Sequence, residues 1–409
     1  MQVRADAQKI WQQAISAVQP EAAVRRALQN AAFSGRVHLV AIGKAAWPMA
    51  SAAYETLGSK IADGIVITKY HHSRGPIGNL QIFEAGHPVP DENSYAATRA
   101  AVELVKPLGE GDEVLFLVSG GGSALFESPL ISEDEMADVT NQLLACGADI
   151  VEMNTIRKRL SCVKGGKFAE LASPAKVFAI VLSDILGDPL DMIASGPAYP
   201  DSSTCEDAMQ IVKKYGLKFS EKAMEYLAQE TPKALSNVET HITGSVRELC
   251  AAAQKEAEAL GYTCQLLTDC LCCQAREAGS FLASIAKTHA GTEKSLAFLA
   301  GGETVVRLTG KGLGGRNQEL ALAAAPGIAG LRDTAVFSFG SDGTDGPTDA
   351  AGGYVDQDTE AKLRALNIRT EAVLQDNDSY HALEKIDGLI VTGPTGTNVN
   401  DLAMVLIRR

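Results

Sequence analysis

The sequence predicts an α/β protein built as two domains. Short apolar runs alternate with helix-period segments, glycine clusters follow several of those runs directly, and the chain has 409 residues. Alternating strand and helix signals make a parallel sheet covered by helices on both faces. A chain of this length exceeds what one hydrophobic core serves, so two domains follow. Apolar residues at 46% and charged residues at 21% give the composition of an ordinary globular protein.

The opening stretch to about residue 33 reads as helix, with Ile10, Ala14, Ala17 and Val18 on one face. Residues 37–42 form a buried-strand run, followed by Gly43-Lys44-Ala45-Ala46 and a helix pattern. Strand signals recur at 61–68, 114–118 and 177–182. Between them the pattern predicts helices at 94–105, with Asp91 or Asn93 as cap, at 132–150 and at 167–171. Residues 202–236 are helical, polar and weakly patterned, and the boundary is placed at their end, giving domains 1–236 and 237–409. Beyond it come helices at 250–260 and 280–288 and strands at 263–267, 296–299, 304–308, 334–338 and 389–391. Strands this closely spaced predict a mixed sheet. No internal repeat or low-complexity tract interrupts the pattern.

The formal net charge of −13 argues against a nucleic-acid or anionic-membrane binder, which needs a concentrated basic surface. The start of the chain is polar and mixed in charge, unlike a signal peptide, and the longest apolar runs are too short to span a bilayer. The eight cysteines are scattered apart from Cys270, Cys272 and Cys273, with no second pair at zinc-site spacing, so they read as reduced thiols of a cytoplasmic protein.

In parallel α/β sheets ligands bind beyond the carboxyl ends of strands, and several unusual loops fall there. Lys44, at a predicted helix start after a buried strand, sits where a helix already carries positive partial charge, and a bound phosphate or carboxylate would relieve that. In Ser119-Gly120-Gly121-Gly122-Ser123, consecutive glycines let backbone N–H groups turn inward around an oxyanion. It is no Walker A loop, because no Gly-Lys-Ser/Thr follows. Asp184 stands directly after a strand, a common place for a metal-binding or proton-accepting carboxylate, whereas Asp188 and Asp191 read equally as a turn residue and a helix cap.

Gly310, Gly312 and Gly315 satisfy G-x-G-x-x-G, and a strand and a helix flank them, but no acidic residue closes a second strand as a dinucleotide site requires. Arg316, at the following helix start, suits a transferring phosphoryl group, so phosphate is favoured over NAD. Asp342, Asp345 and Asp349, and the loop from Thr392 to Asp401, read equally as ligand-holding or structural turns. Residues 154–167 form a local basic patch containing Lys164-Gly165-Gly166, suited to phosphates, with a solvated helix face as the plainer reading. No Gly-x-Ser-x-Gly elbow and no protein-kinase signature set occurs.

Taken in order, these segments resemble the glycerate 2-kinase family, whose C-terminal half is the MOFRL domain. The matching pieces are Gly43-Lys44-Ala45-Ala46, Gly86-His87-Pro88-Val89-Pro90-Asp91, Ser119 to Ser123, Lys164-Gly165-Gly166, the Asp184 and Asp188 segment, Gly314-Gly315-Arg316-Asn317-Gln318-Glu319, and the two C-terminal loops. One departure is Arg159, where relatives often carry His.

The resemblance implies a Rossmann-like N-terminal parallel sheet with helices on both faces, a MOFRL-type mixed-sheet C-terminal domain, and an active site in the cleft between them. It implies ATP-dependent phosphorylation of D-glycerate at the 2-hydroxyl with Mg²⁺, with Lys44 and Arg316 foremost. On this reading the expected catalytic residues are Lys44, Asp184 and Arg316. Ser119, Gly120, Gly121, Gly122, Ser123, Lys164, Gly165 and Gly166 hold nucleotide phosphates, and Asp184 with Asp188 holds the metal. The expected partner is a small molecule rather than nucleic acid or membrane, and a homodimer stays open. The family has also carried the label hydroxypyruvate reductase, which makes an NAD(P)H enzyme the alternative, and a sugar-acid-binding regulatory module is the non-enzymatic one.

Overall fold

The computed structural model describes residues 2–29 and 31–409. These form two compact units: residues 23–182 with 188–243, and the first 22 residues with 183–187 and 244–409.

The first unit is built on strands β1 (Arg36–Ile42), β2 (Ile61–Lys69), β3 (Gln81–Ala85), β4 (Asp112–Val118), β5 (Lys176–Leu182) and β6 (Val238–Gly244). Their order is β3-β2-β1-β4-β5-β6. The registers of β1 to β5 are parallel. The bond from Val177 to Asn237 sets β6 in the same direction, as does that from Ser183 to Gly244. β4 is buried along its whole length, as expected of a strand covered on both faces. One face carries Leu39, Leu115 and Ile180 against the helix Ala46–Leu57. On another part of the unit Phe116, Phe126 and Phe168 cluster, with Phe116 and Phe168 ring centroids 4.8 Å apart. This strand order is that of the Rossmann sheet: the chain proceeds outward from β1 to β3, then returns to β4 on the other side of β1. Ile42 and Val118 end these two strands as register partners, so the loops after them leave the sheet side by side.

The second unit carries β7 (Thr263–Leu271), β8 (Leu296–Gly302), β9 (Thr334–Gly340), β10 (Gly352–Asp356), β11 (Leu389–Ile390) and β12 (Asp401–Ile407), in the order β11-β10-β9-β12-β8-β7. Only β7 and β8 pair in parallel, so the sheet is mixed as expected. The helices Gln2–Ala17 and Val246–Ala259 bury one face. The helices Ala275–Thr288 and Arg316–Ile328 bury the other. Those last two approach closely: a Cβ added to Gly279 would lie 2.1 Å from the carbonyl oxygen of Leu320.

Three expectations change. The opening stretch is two helices, Gln2–Ala17 and Pro20–Leu28. A single division at 236/237 does not describe the compact units. The first helix packs Ile10, Trp11 and Ala14 into the mixed-sheet unit, where Trp11 meets Phe337 edge to face at 5.7 Å, while Val238–Gly244 closes the parallel sheet. Finally, residues 304–308 form no strand beyond a bridge at Val305, and Leu308 is 80% exposed.

Candidate active site

The first set of functional groups lies at the switch point of the parallel sheet. Gly43 has φ 111°, and a Cβ there would fall 2.3 Å from Ser119 Oγ, so only glycine lets the β1 loop close against the β4 loop. The loops are then tied together: the Lys44 amide donates to the Gly120 carbonyl at 2.9 Å and the Ala45 amide to Ser119 Oγ at 3.1 Å. Lys44 precedes the helix Ala46–Leu57 and is exposed, and no carboxylate pairs with it among the described residues. The helix after the glycines is a single turn, Gly122–Leu125, so anion binding here rests on the loop and the nearby cations rather than on a helix dipole. The Gly120 and Gly121 amides donate to no acceptor among the described residues. His87 stands beside this loop. Burial pushes its pKa down from the ordinary value, and so do Lys44, Lys69 and His72 around it.

Lys164, Gly165 and Gly166 do not face this loop; they support it from within. The Lys164 ammonium is buried and donates to the carbonyls of Ser123 at 2.8 Å and Phe126 at 2.9 Å, with Glu127 at 3.3 Å. Burial pushes its pKa down to about 8, against the pull of Glu127. The Gly165 and Gly166 amides donate to the carbonyls of Ser195 and Gly196. Those bonds hold Ala194 and Ser195 at φ 51° and 61°, left-handed values that cost an L-residue about 1–2 kcal/mol each. Ser195 Oγ in turn contacts Ser123 Oγ at 3.0 Å and donates to Asn154 at 3.0 Å. The rest of the basic patch is equally internal: Lys158 pairs with Asp201 at 3.1 Å, and Arg159 bonds Ser203 and Glu230. Neither a phosphate cradle nor a solvated helix face describes these residues, because their donors are consumed inside the unit.

The second set lies in the mixed-sheet unit. Arg316 Nη2 donates to Asp401 at 3.0 Å, Nε donates to the other oxygen of the same carboxylate, and Nη1 pairs with Glu303 at 3.1 Å. Asp401 begins β12 and Glu303 follows β8, and these strands are register neighbours, so the guanidinium lies across two adjacent strand ends. Burial works against its charge, but Asp401, Glu303 and Asp345 more than offset it and raise its pKa. Asn400 joins Asp184 to this group, donating to the Asp184 carbonyl and to Glu303, each at 3.1 Å. Arg316 also borders a cavity of about 800 Å³ walled by Leu186, Val305, Leu308 and Pro347.

The glycine-rich loop before Arg316 serves packing. Added Cβ atoms at Gly310 and Gly312 would fall 2.3 and 2.4 Å from Asp376 and Asp378. The amides of Thr309, Gly310, Lys311, Gly312 and Leu313 all donate to groups of Asp376, Asn377 and Asp378. The helix start is filled too, because the buried Asp345 carboxylate accepts the amides of Asn317 at 3.1 Å and Gln318 at 2.8 Å. Amides already engaged in this way leave none for a dinucleotide pyrophosphate.

Among the described residues no group of three His, Cys, Asp or Glu is arranged to hold a metal. Magnesium needs less, since it takes one or two carboxylates and fills its remaining positions with water and substrate phosphates. Asp188 Oδ1 is buried without a hydrogen-bond partner among the described residues, so one carboxylate oxygen there is available to that ion. Sequence reasoning missed Glu303 and Ser195 as site-building residues, and it took Asn400, Asp401 and Asn154 only as members of longer candidate segments without a role of their own. Asp401 carried a signal, standing immediately before the apolar run 402–407.

Two family descriptions match: a domain of unknown function, DUF4147, over residues 6–228, and the MOFRL family over residues 296–401. A D-glycerate 2-kinase of Thermotoga maritima is 54% identical over 405 residues, 98% of this chain and 97% of its own. A glycerate 2-kinase of Pyrococcus horikoshii is 40% identical over 92% of this chain and 88% of its own. The chain belongs to the glycerate 2-kinase family. A solved Thermotoga maritima structure described as glycerate kinase superposes with a TM-score of 0.95 at 53% identity, covering 99% of both chains.

Proposed function

We propose that this chain is an ATP-dependent glycerate 2-kinase, transferring the γ-phosphoryl group of ATP to the 2-hydroxyl of D-glycerate to give 2-phospho-D-glycerate and ADP. The observation that carries the reading is an uncompensated lysine, Lys44, beside a glycine loop with two undonated amides at the switch point of a parallel sheet. Phosphoryl transfer is mainly positioning and charge stabilisation, and these groups supply both. Lys44 offsets charge on the transferring group, and residues 119–123 receive nucleotide phosphate oxygens. Arg316, held by Asp401 and Glu303, presents its remaining N–H donors in a fixed plane, which suits phosphoryl oxygens. Asp184 orients the acceptor hydroxyl. Bound Mg²⁺, carried by Asp184 with Asp188, would neutralise phosphate charge.

Coupled turnover of purified protein with D-glycerate and ATP/Mg²⁺ tests this, run beside hydroxypyruvate with NADH or NADPH. ADP release with formation of 2-phosphoglycerate is expected. NAD(P)H oxidation without ATP would overturn the assignment, and it would also require the engaged amides of residues 309–313 to let go of Asp376, Asn377 and Asp378.

A further inference from the structure

We infer that Lys69, His72 and His87, together with Lys44, form a subsite for the carboxylate of the acid acceptor. The inference rests on the kinase reading and adds to it the residues that recognise the substrate as an acid. All four groups come from the carboxyl ends of neighbouring strands. Lys44 follows β1, Lys69 ends β2, His72 lies in the loop after it, and His87 comes two residues after β3. Lys69 and Ala85 are register partners, which sets the ends of β2 and β3 abreast. His72 Nδ1 is 3.1 Å from the carbonyl oxygen of Lys44. A Cβ on Gly121 would stand 3.2 Å from His87 Nε2 and 3.2 Å from Lys44 Cγ, so the imidazole and the lysine stem flank the same glycine.

The nearby acids do not close this cluster. Asp91 caps the helix Glu92–Val105 and accepts from Tyr70 at 2.7 Å and from the Ser94 amide at 2.9 Å. Glu84 accepts the Ser73 amide at 2.9 Å. Both are occupied in shaping the loops that carry the imidazoles. The His72 loop is fixed further by the bond from Trp47 Nε1 to the Gly75 carbonyl at 2.8 Å and by Arg74 over the Trp47 ring. The loops that carry the imidazoles are therefore set before any ligand arrives, a condition that favours tight recognition.

The chemistry favours a carboxylate. In a 2-hydroxy acid the carboxylate is bonded to the carbon that carries the reacting hydroxyl, so it must lie next to the cation serving the transferring group. The His87 imidazole and two ammonium groups can engage both oxygens of one planar carboxylate, while His72, whose Nδ1–H goes to the Lys44 carbonyl, holds the Lys44 loop beside them. The undonated amides of Gly120 and Gly121 come from the β4 loop, and His87 beside Gly121 marks where they meet the basic groups of β2 and β3.

Steady-state kinetics of His87→Ala and Lys69→Met against the unaltered enzyme test this, with D-glycerate and ATP varied separately and D-glycerate binding measured by calorimetry. Losing one charged or imidazole hydrogen bond predicts a KM for D-glycerate raised about tenfold or more, with kcat within about threefold and the KM for ATP unchanged. Glycerol, in which a neutral hydroxymethyl group replaces the carboxylate, should be used equally poorly by all three proteins. A raised KM for ATP with an unchanged KM for D-glycerate would assign the cluster to a donor phosphate and overturn the inference. So would unchanged constants for both substrates. Lys69→Met keeps the test decisive if His87→Ala fails to fold. Absence of any ATP-dependent turnover in the unaltered enzyme would sink the kinase reading instead, and the calorimetry would still judge the subsite.

Discussion

Lys44 and Arg316 are both cations at loop ends, yet their surroundings predict different mutational behaviour. Lys44 has no carboxylate partner among the described residues, so Lys44→Met should leave the melting temperature unchanged while turnover falls by about a hundredfold or more, read by the coupled assay. Arg316→Met leaves the buried Asp401 carboxylate without its donors and should lower stability by about 1–3 kcal/mol as well as activity. Arg316→Lys keeps the charge but loses the two-pronged contact, so thermal unfolding should change little and turnover should fall steeply. The cations themselves were legible in the sequence because each stands beside glycines, Lys44 directly after a strand and Arg316 at a helix start. Their partners were not. Asp401 is 85 positions from Arg316, and only the tertiary fold sets the start of β12 against the start of the helix Arg316–Ile328. Lys164 misled in the opposite sense: a lysine before two glycines has the pattern of a phosphate ligand, and only Glu127 and two carbonyls reveal an internal strut.

Among the elements, the helix Arg316–Ile328 begins without a local side-chain cap, and Asp345 fills its first amides from a distant loop. Burial pushes the Asp345 carboxyl up to about 7 despite those amides and Arg316. The folded chain therefore binds this proton more tightly than the unfolded chain between about pH 4 and 7. Its contribution to stability falls as pH rises through that window. The stability of the unaltered protein relative to Asp345→Asn should accordingly be greater at pH 5 than at pH 8, as measured by urea unfolding. The helix Ile150–Leu160 is closed similarly by Lys167, which donates to the carbonyls of Lys158, Arg159 and Ser161. Lys167→Met should cost about 2–3 kcal/mol, seen as a lower melting temperature. Strands with continuous apolar runs before a glycine loop were legible, β1, β4 and β5 above all. β12 was passed over although residues 402–407 are apolar throughout, because the glycine and asparagine-rich loop before it drew the reading toward a ligand turn. Residues 304–308 have strand composition but keep Leu308 in solvent beside the cavity, so burial overrode propensity.

At the scale of the whole molecule, the chain's beginning completes a core made mostly of its second half. Asp6 accepts from Tyr262 at 2.8 Å and pairs with Arg408, and Trp11 rests on Phe337. Trp11→Ala should therefore destabilise the mixed-sheet unit by about 3–5 kcal/mol, visible as an earlier unfolding transition. No reading of local pattern could have placed this helix, because the pattern reveals its apolar face but not the sheet that receives it. The two sheets and their types were legible from strand spacing, whereas the path of the chain through 183–187 and 238–244 depends on partners distant in sequence, Asn400 for Asp184 and Val177 for Asn237.

The inward basic patch has a consequence for chemical labelling. Lys158 and Lys164 are almost wholly shielded, and the Lys167 amine is spent on three carbonyls. An amine-acylating reagent applied to the folded protein should pass over these three and mark Lys44, which is open to solvent. Mass spectrometry would then read two events from one digest: protection of Lys44 would report an occupied loop, and acylation at 158, 164 or 167 would report that the support beneath it has opened.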